Sequence, residues 1–135
     1  MAEHSRPRIS VVNDNPDFLD LMAAILDEDA GYEVSLFAGK DTGIADLAAS
    51  DPALIIVDLL LGGASGWEIV TLCRADPRLS NVPIIVCSAD VTALRERAEE
   101  LQRIGNVYVL AKPFGIDDLT RQVEQLVGRA VSASG

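Results

Sequence analysis

The sequence predicts an α/β fold, a five-stranded parallel sheet with helices on both faces, and three observations carry the prediction. Five short apolar segments, each rich in β-branched residues, alternate with five amphipathic ones, the pattern of successive strand-helix units. The run Ala53-Leu54-Ile55-Ile56-Val57 is continuously apolar, as a strand buried on both faces reads. With 135 residues, 49% of them hydrophobic and 24% charged, the chain fits one ordinary globular domain with a single sizeable core.

The elements follow in order. Strands are read at Ile9 to Asn13, Glu33 to Phe37, Leu54 to Asp58, Ile84 to Ser88 and Val107 to Ala111. The first helix opens on Asn15 as cap with Pro16 in its first turn, places Phe18, Met22, Ile25 and Leu26 at helical spacing, and closes at Gly31. A second runs from about Lys40 to Ala49, with Ile44, Leu47 and Ala48 as its stripe and Asp51-Pro52 as its stop. The third starts near Gly66, aligns Trp67, Val70 and Cys73 or Arg74, and breaks at Asp76-Pro77. The fourth, Thr92 to Ile104, turns Leu94, Ala98 and Leu101 inward, and the last runs from Ile116 to about Val127, with Gly128 ending it. Residues 1–7 and 129–135 carry no pattern and are expected as flexible tails around a domain spanning 8–128.

Charge and cysteine content exclude several function classes. A net charge of -10 and a pI near 4.3 oppose adhesion to nucleic-acid phosphates, whose affinity comes largely from Lys and Arg. Cys73 and Cys87 are the only cysteines and show no zinc-ligand spacing; both are expected as buried thiols. The first residues lack the apolar core of a signal peptide and no later run approaches a membrane span, so the expected compartment is the cytoplasm.

Polar residues stand at the carboxyl ends of four of the five strands: Asn13 and Asp14, Asp58, Ser88, and Lys112. In open α/β sheets that edge is where ligands bind. Each has a plainer reading when taken singly. Asp58 and Asp14 serve as helix caps, and Ser88 satisfies a strand-end backbone group. Together they are a coherent chemical set. Asp14 and Asp58 offer the hard oxygen ligands that suit octahedral magnesium. Ser88 and Lys112, the latter one of two lysines beside nine arginines, are groups that hold phosphoryl oxygens. Asp58 then becomes the nucleophile of an aspartyl phosphate.

These motifs resemble the response-regulator receiver domain of two-component signalling, from about residue 8 to 128. Val11-Val12-Asn13-Asp14-Asn15-Pro16 is similar to the family's first strand and acid pair, and Ile55-Ile56-Val57-Asp58 to its phosphoacceptor strand. Gly66-Trp67-Glu68 matches its third-helix start, Pro83 to Ala89 its Ser/Thr-Ala strand, and Ala111-Lys112-Pro113-Phe114 its Lys-Pro-Phe ending. The resemblance implies a doubly wound, flavodoxin-like three-layer αβα sandwich with strand order 2-1-3-4-5 and the site at its switch point. It implies that Asp58 accepts phosphate from a sensor histidine kinase or a histidine phosphotransfer protein. Magnesium would be held by Asp14, Asp58 and the Leu60 backbone carbonyl, with Asn13 reaching it through water. Ser88 and Lys112 would contact the phosphoryl group, and the Lys112-Pro113 bond would be cis.

Four departures from the family pattern stand out. Asn13 replaces the first acid, which predicts weaker metal binding, and Leu61-Gly62 replaces the usual Met-Pro, which predicts a more pliable loop. Val109 stands where relatives keep an aromatic switch, and strand alternation sends its neighbour Tyr108 to the opposite face. Leu60 and Asp90 combine an apolar group with an acid at sites that in the family tune phosphoryl lifetime.

The expected protein is a stand-alone module, not an enzyme beyond assisting its own phosphoryl transfer and slow hydrolysis. It is expected to act on a downstream protein as a monomer or phosphorylation-dependent homodimer, without nucleic acid or membrane. A phosphorylation-independent pseudo-receiver scaffold is the first alternative. A flavodoxin-like cofactor binder would need glycines after strand one, which Asn13-Asp14-Asn15-Pro16 lacks. An aspartyl-phosphate phosphatase would need a second acid where Leu60 stands.

Overall fold

The computed structural model describes residues 7–29, 31–38, 43–58, 60–61, 64–88, 91–96, 98–111 and 115–134. Five parallel strands, β1 (Arg8–Asn13), β2 (Glu33–Ala38), β3 (Leu54–Asp58), β6 (Ile84–Ser88) and β7 (Val107–Ala111), form one sheet in the order β2-β1-β3-β6-β7. Counting only these strands, the order is the 2-1-3-4-5 of a doubly wound fold. A separate antiparallel pair, β4 (Leu60–Leu61) and β5 (Ala64–Ser65), follows β3 directly.

Strand alternation sorts the sheet's side chains into two cores. Ile9, Val11, Leu54, Ile56, Ile85 and Cys87 pack with Met22, Leu26, Leu119 and Val123 on one face. Val12, Ile55, Val57, Ile84 and Val86 pack with Leu47, Val70, Cys73 and Leu79 on the other. The first face is covered by α1 (Pro16–Ala23), its π-helical continuation Ala24–Asp29, and α6 (Ile116–Ser134). The second is covered by α2 (Ile44–Ala49) and α3 (Gly66–Ala75). The continuously apolar run of β3 is thus explained, since every residue of that strand is buried and neither of its faces meets water.

The helix boundaries follow local chemistry. Asn15 caps α1, its side chain accepting from the Asp17 and Phe18 N–H groups at 2.9 and 3.4 Å. The π-helical segment is described to Asp29; beyond it Gly31 has a left-handed φ of 80°, and the Tyr32 N–H reaches back to the Leu26 carbonyl at 2.8 Å. Asp51, at φ 51°, stops α2 one residue before Pro52. Asp76 ends α3 by accepting from the Arg78 N–H at 2.8 Å, with its carboxylate also bound by the Arg78 guanidinium at 2.9 Å.

Three expectations change. The last helix does not stop at Gly128 but continues to Ser134, so residues 129–134 are helical rather than a patternless tail. A glycine weakens a helix by about 1 kcal/mol without ending it, and Gly128 has none of the left-handed geometry that makes Gly31 a terminator. The fourth helix is described in two pieces, α4 (Val91–Glu96) and α5 (Ala98–Ile104), and the inward residues expected there, Leu94, Ala98 and Leu101, lie outside the described side chains. The second helix, expected from about Lys40, starts only at Ile44, because Gly43 is its N-cap with extended backbone at φ -95° and ψ 150°; residues 39–42 lie outside the described residues.

Candidate functional site at the carboxyl edge of the sheet

β1 and β3 are neighbours that carry the chain away in opposite directions, so a crevice opens at their carboxyl ends. Asn13 ends β1 and Asp58 ends β3. Both are polar yet buried, Asn13 at 1% exposure and Asp58 at 8%. Such polar groups need partners. Asn13 supplies one, its Nδ2 donating to Asp58 Oδ2 at 3.0 Å. The Asn13 Oδ1 in turn accepts the Asn15 backbone N–H at 2.8 Å, so both ends of the amide are engaged.

Of the remaining residues, Asp14 and the backbone of Ser88 are described at the same edge. Asp14 follows Asn13 and is exposed at the rim. In register, Asp58 lies beside Cys87 and Ser88 beside Ala111, which brings the ends of β3, β6 and β7 side by side. The Ser88 side chain, Lys112 with its bond to Pro113, and Asp90 lie outside the described residues. Leu60 is described in its backbone, as the first residue of β4.

Leu60 pairs with Ser65 and Leu61 with Ala64. The loop expected to be pliable at Leu61-Gly62 therefore contains a two-rung antiparallel ladder, while Gly62 and Gly63 themselves lie outside the described residues. Val109 is 41% exposed, whereas Tyr108 packs against the core on the α1 and α6 face and donates from its hydroxyl to Asn106 Oδ1 at 3.1 Å. The opposite-face placement read from alternation holds.

The donor set suits a hard divalent cation. It comprises one buried carboxylate, Asp58, and one exposed carboxylate, Asp14, both hard oxygen donors. Among the described residues no cluster of three or more acidic, His or Cys side chains occurs, so a cation here would rest on the two acids and on backbone or water oxygens. A recess of about 440 Å³ between β7 and α6, bordered by Tyr108, Leu110 and Arg121, includes none of these residues.

The response regulator receiver domain model matches residues 9–124. The chain belongs to the receiver-domain family. It is 30% identical to the DNA-binding dual master transcriptional regulator RpaA of Synechocystis sp., over 91% of this chain and 50% of that protein. It is 32% identical to the hybrid signal transduction histidine kinase D of Dictyostelium discoideum, over 92% of this chain and 8% of that one. Thus the receiver spans half or less of these curated relatives. Among solved structures, the receiver domain of sensor histidine kinase PA1611 from Pseudomonas aeruginosa superposes with a TM-score of 0.76 at 29% identity, covering 92% of this chain and 99% of that one. That structure is described as having magnesium coordinated in its active-site cleft.

The sequence located Asp58, Asp14 and Asn13 at this edge but not the bond between Asn13 and Asp58. Asn13 was expected to work through water on a cation. The structure adds a direct contact to the phosphoacceptor candidate. Asn15, read as a helix cap, has a second task, since its N–H fixes which way the Asn13 amide faces.

Proposed function

We propose that this receiver is a phosphorylation-controlled signalling module in which Asp58 is the phosphoacceptor. The observation that carries the reading is a carboxylate 8% exposed at the carboxyl end of the central strand, beside the exposed Asp14. An Asp58 oxygen attacks the phosphorus of a phosphohistidine on a sensor kinase or phosphotransfer protein. The P–N bond breaks, the imidazole leaves and takes a proton, and an acyl phosphate remains. Asp14, Asp58 and the Leu60 carbonyl would hold magnesium, which when bound supplies positive charge for the phosphoryl oxygens. Ser88 and Lys112 contact the same group. The module is not an enzyme toward other substrates and acts in the cytoplasm, as a monomer or as a homodimer formed on phosphorylation. The new charge, close to two units, biases a binding surface read by a downstream protein. With its net charge of -10 the chain offers no favourable field to nucleic acid, and no described helix is long and apolar enough to cross a membrane.

Acetyl phosphate or beryllofluoride with magnesium tests the reading. The intact-mass or fluorine spectrum should show one adduct on the wild type and none on Asp58→Ala. An adduct that survives in Asp58→Ala, or none on the wild type, would overturn it. A constitutive scaffold is the second reading, favoured by the neutral Asn13 and by Val109 in place of an aromatic switch. It is distinguished by partner binding that stays identical when Asp58 is blocked.

A further inference from the structure

We propose that Asn13 is a positioning residue whose side-chain amide holds the Asp58 carboxylate in place in the metal-free protein, so that the pocket is stable without a cation.

The orientation of the amide is decided by its neighbours. The Asn15 backbone N–H can only donate, and it points at Asn13 Oδ1 from 2.8 Å. The atom facing Asp58 Oδ2 at 3.0 Å is therefore the NH2 group, a donor matched to a carboxylate acceptor. Both partners are nearly removed from water, where a hydrogen bond to a charged acceptor is strong and its loss removes one of the groups that hold the buried carboxylate. A carboxylate at position 13 would face Asp58 with like charge at the same distance, a repulsion that a bound cation would offset. Asn13 removes that repulsion. It also removes one anionic attraction for the cation, so the same residue lowers cation affinity while it steadies the empty pocket.

The inference rests on the proposed function for its cation but not for its hydrogen bond, and the experiment separates the two. Unfolding by urea in chelator is followed for the wild type, Asn13→Ala, Asp58→Ala and the double variant. Losing the bond from Asn15 affects both Asn13→Ala proteins equally and cancels in the cycle. The expected result is a coupling of roughly tenfold or more in the unfolding constant between positions 13 and 58. Additive effects would show that Asn13 acts only through the β1–α1 turn and would overturn the proposal.

Magnesium titration of the wild type and Asn13→Asp forms the second arm, read as the shift of the unfolding midpoint. Asn13→Asp should unfold at lower urea than wild type in chelator and bind magnesium roughly tenfold more tightly. An Asn13→Asp protein as stable as wild type in chelator would contradict the proposal. If neither protein responds to magnesium, the metal site of the proposed function fails, and the cycle in chelator still decides the role of Asn13.

Discussion

Arg74 shows how much one side chain can organise without touching the site. Its guanidinium donates to three backbone carbonyls, Gly105 at 3.3 Å, Leu79 at 3.1 Å and Asn106 at 3.0 Å. It thereby ties α3 to the turns that precede β6 and β7. Asn106, in the left-handed region at φ 59°, extends the network by donating to the Asn81 carbonyl at 3.0 Å. Arg74→Ala should cost about 2 kcal/mol, measured by urea unfolding, and Arg74→Lys should restore less than half of it, because an ammonium cannot fan toward three acceptors. Its neighbour Cys73 is buried in the core, and that burial pushes the thiol up to about 11. An unfolded thiol ionises near about 8.5, so the folded chain holds the proton longer. The associated stability is intact below the unfolded value and is lost as pH rises toward about 11. Urea midpoints should fall over this alkaline range, and less steeply in Cys73→Ala. Asp58 was legible in the sequence because it terminates an apolar run. The Arg74 network and the Asn13 bond were not, because Gly105 and Asn106 stand 31 and 32 residues from Arg74 and Asp58 stands 45 from Asn13, and they meet only once strand register is set.

At the scale of elements, the five sheet strands were legible to within a residue because each apolar run is bounded by turn residues. Helix ends were less so, and two glycines show why. Gly31 and Gly128 read alike as terminators, but only Gly31 has left-handed backbone. Gly31→Ala should cost about 1 kcal/mol from backbone strain alone, since a Cβ there meets nothing within 4 Å. Gly128→Ala should instead add up to about 1 kcal/mol of stability as a helix-interior replacement. Opposite shifts in the urea midpoint check both. The β4–β5 pair escaped the sequence reading altogether. Two residues per strand are too few to show alternation, and the loop's glycines suggested freedom rather than a turn.

For the whole molecule, the doubly wound order gathers residues from distant parts of the sequence onto one edge, within a chain whose net charge is -10. The fold class and the site's address were legible together, since a parallel sheet has only one carboxyl edge. The split of the sheet into two cores has a mechanical corollary. Ile55 and Ile56 are adjacent in the chain but belong to different cores, whereas Ile56 and Ile85 are cross-strand neighbours in the same one. Proximity along the chain and energetic kinship therefore part company. Valine replacements at 55 and 56 should add within about 0.5 kcal/mol, while those at 56 and 85 should depart from additivity by more than that in double-mutant unfolding. Evolution can therefore revise one side of this sheet with little renegotiation of the other.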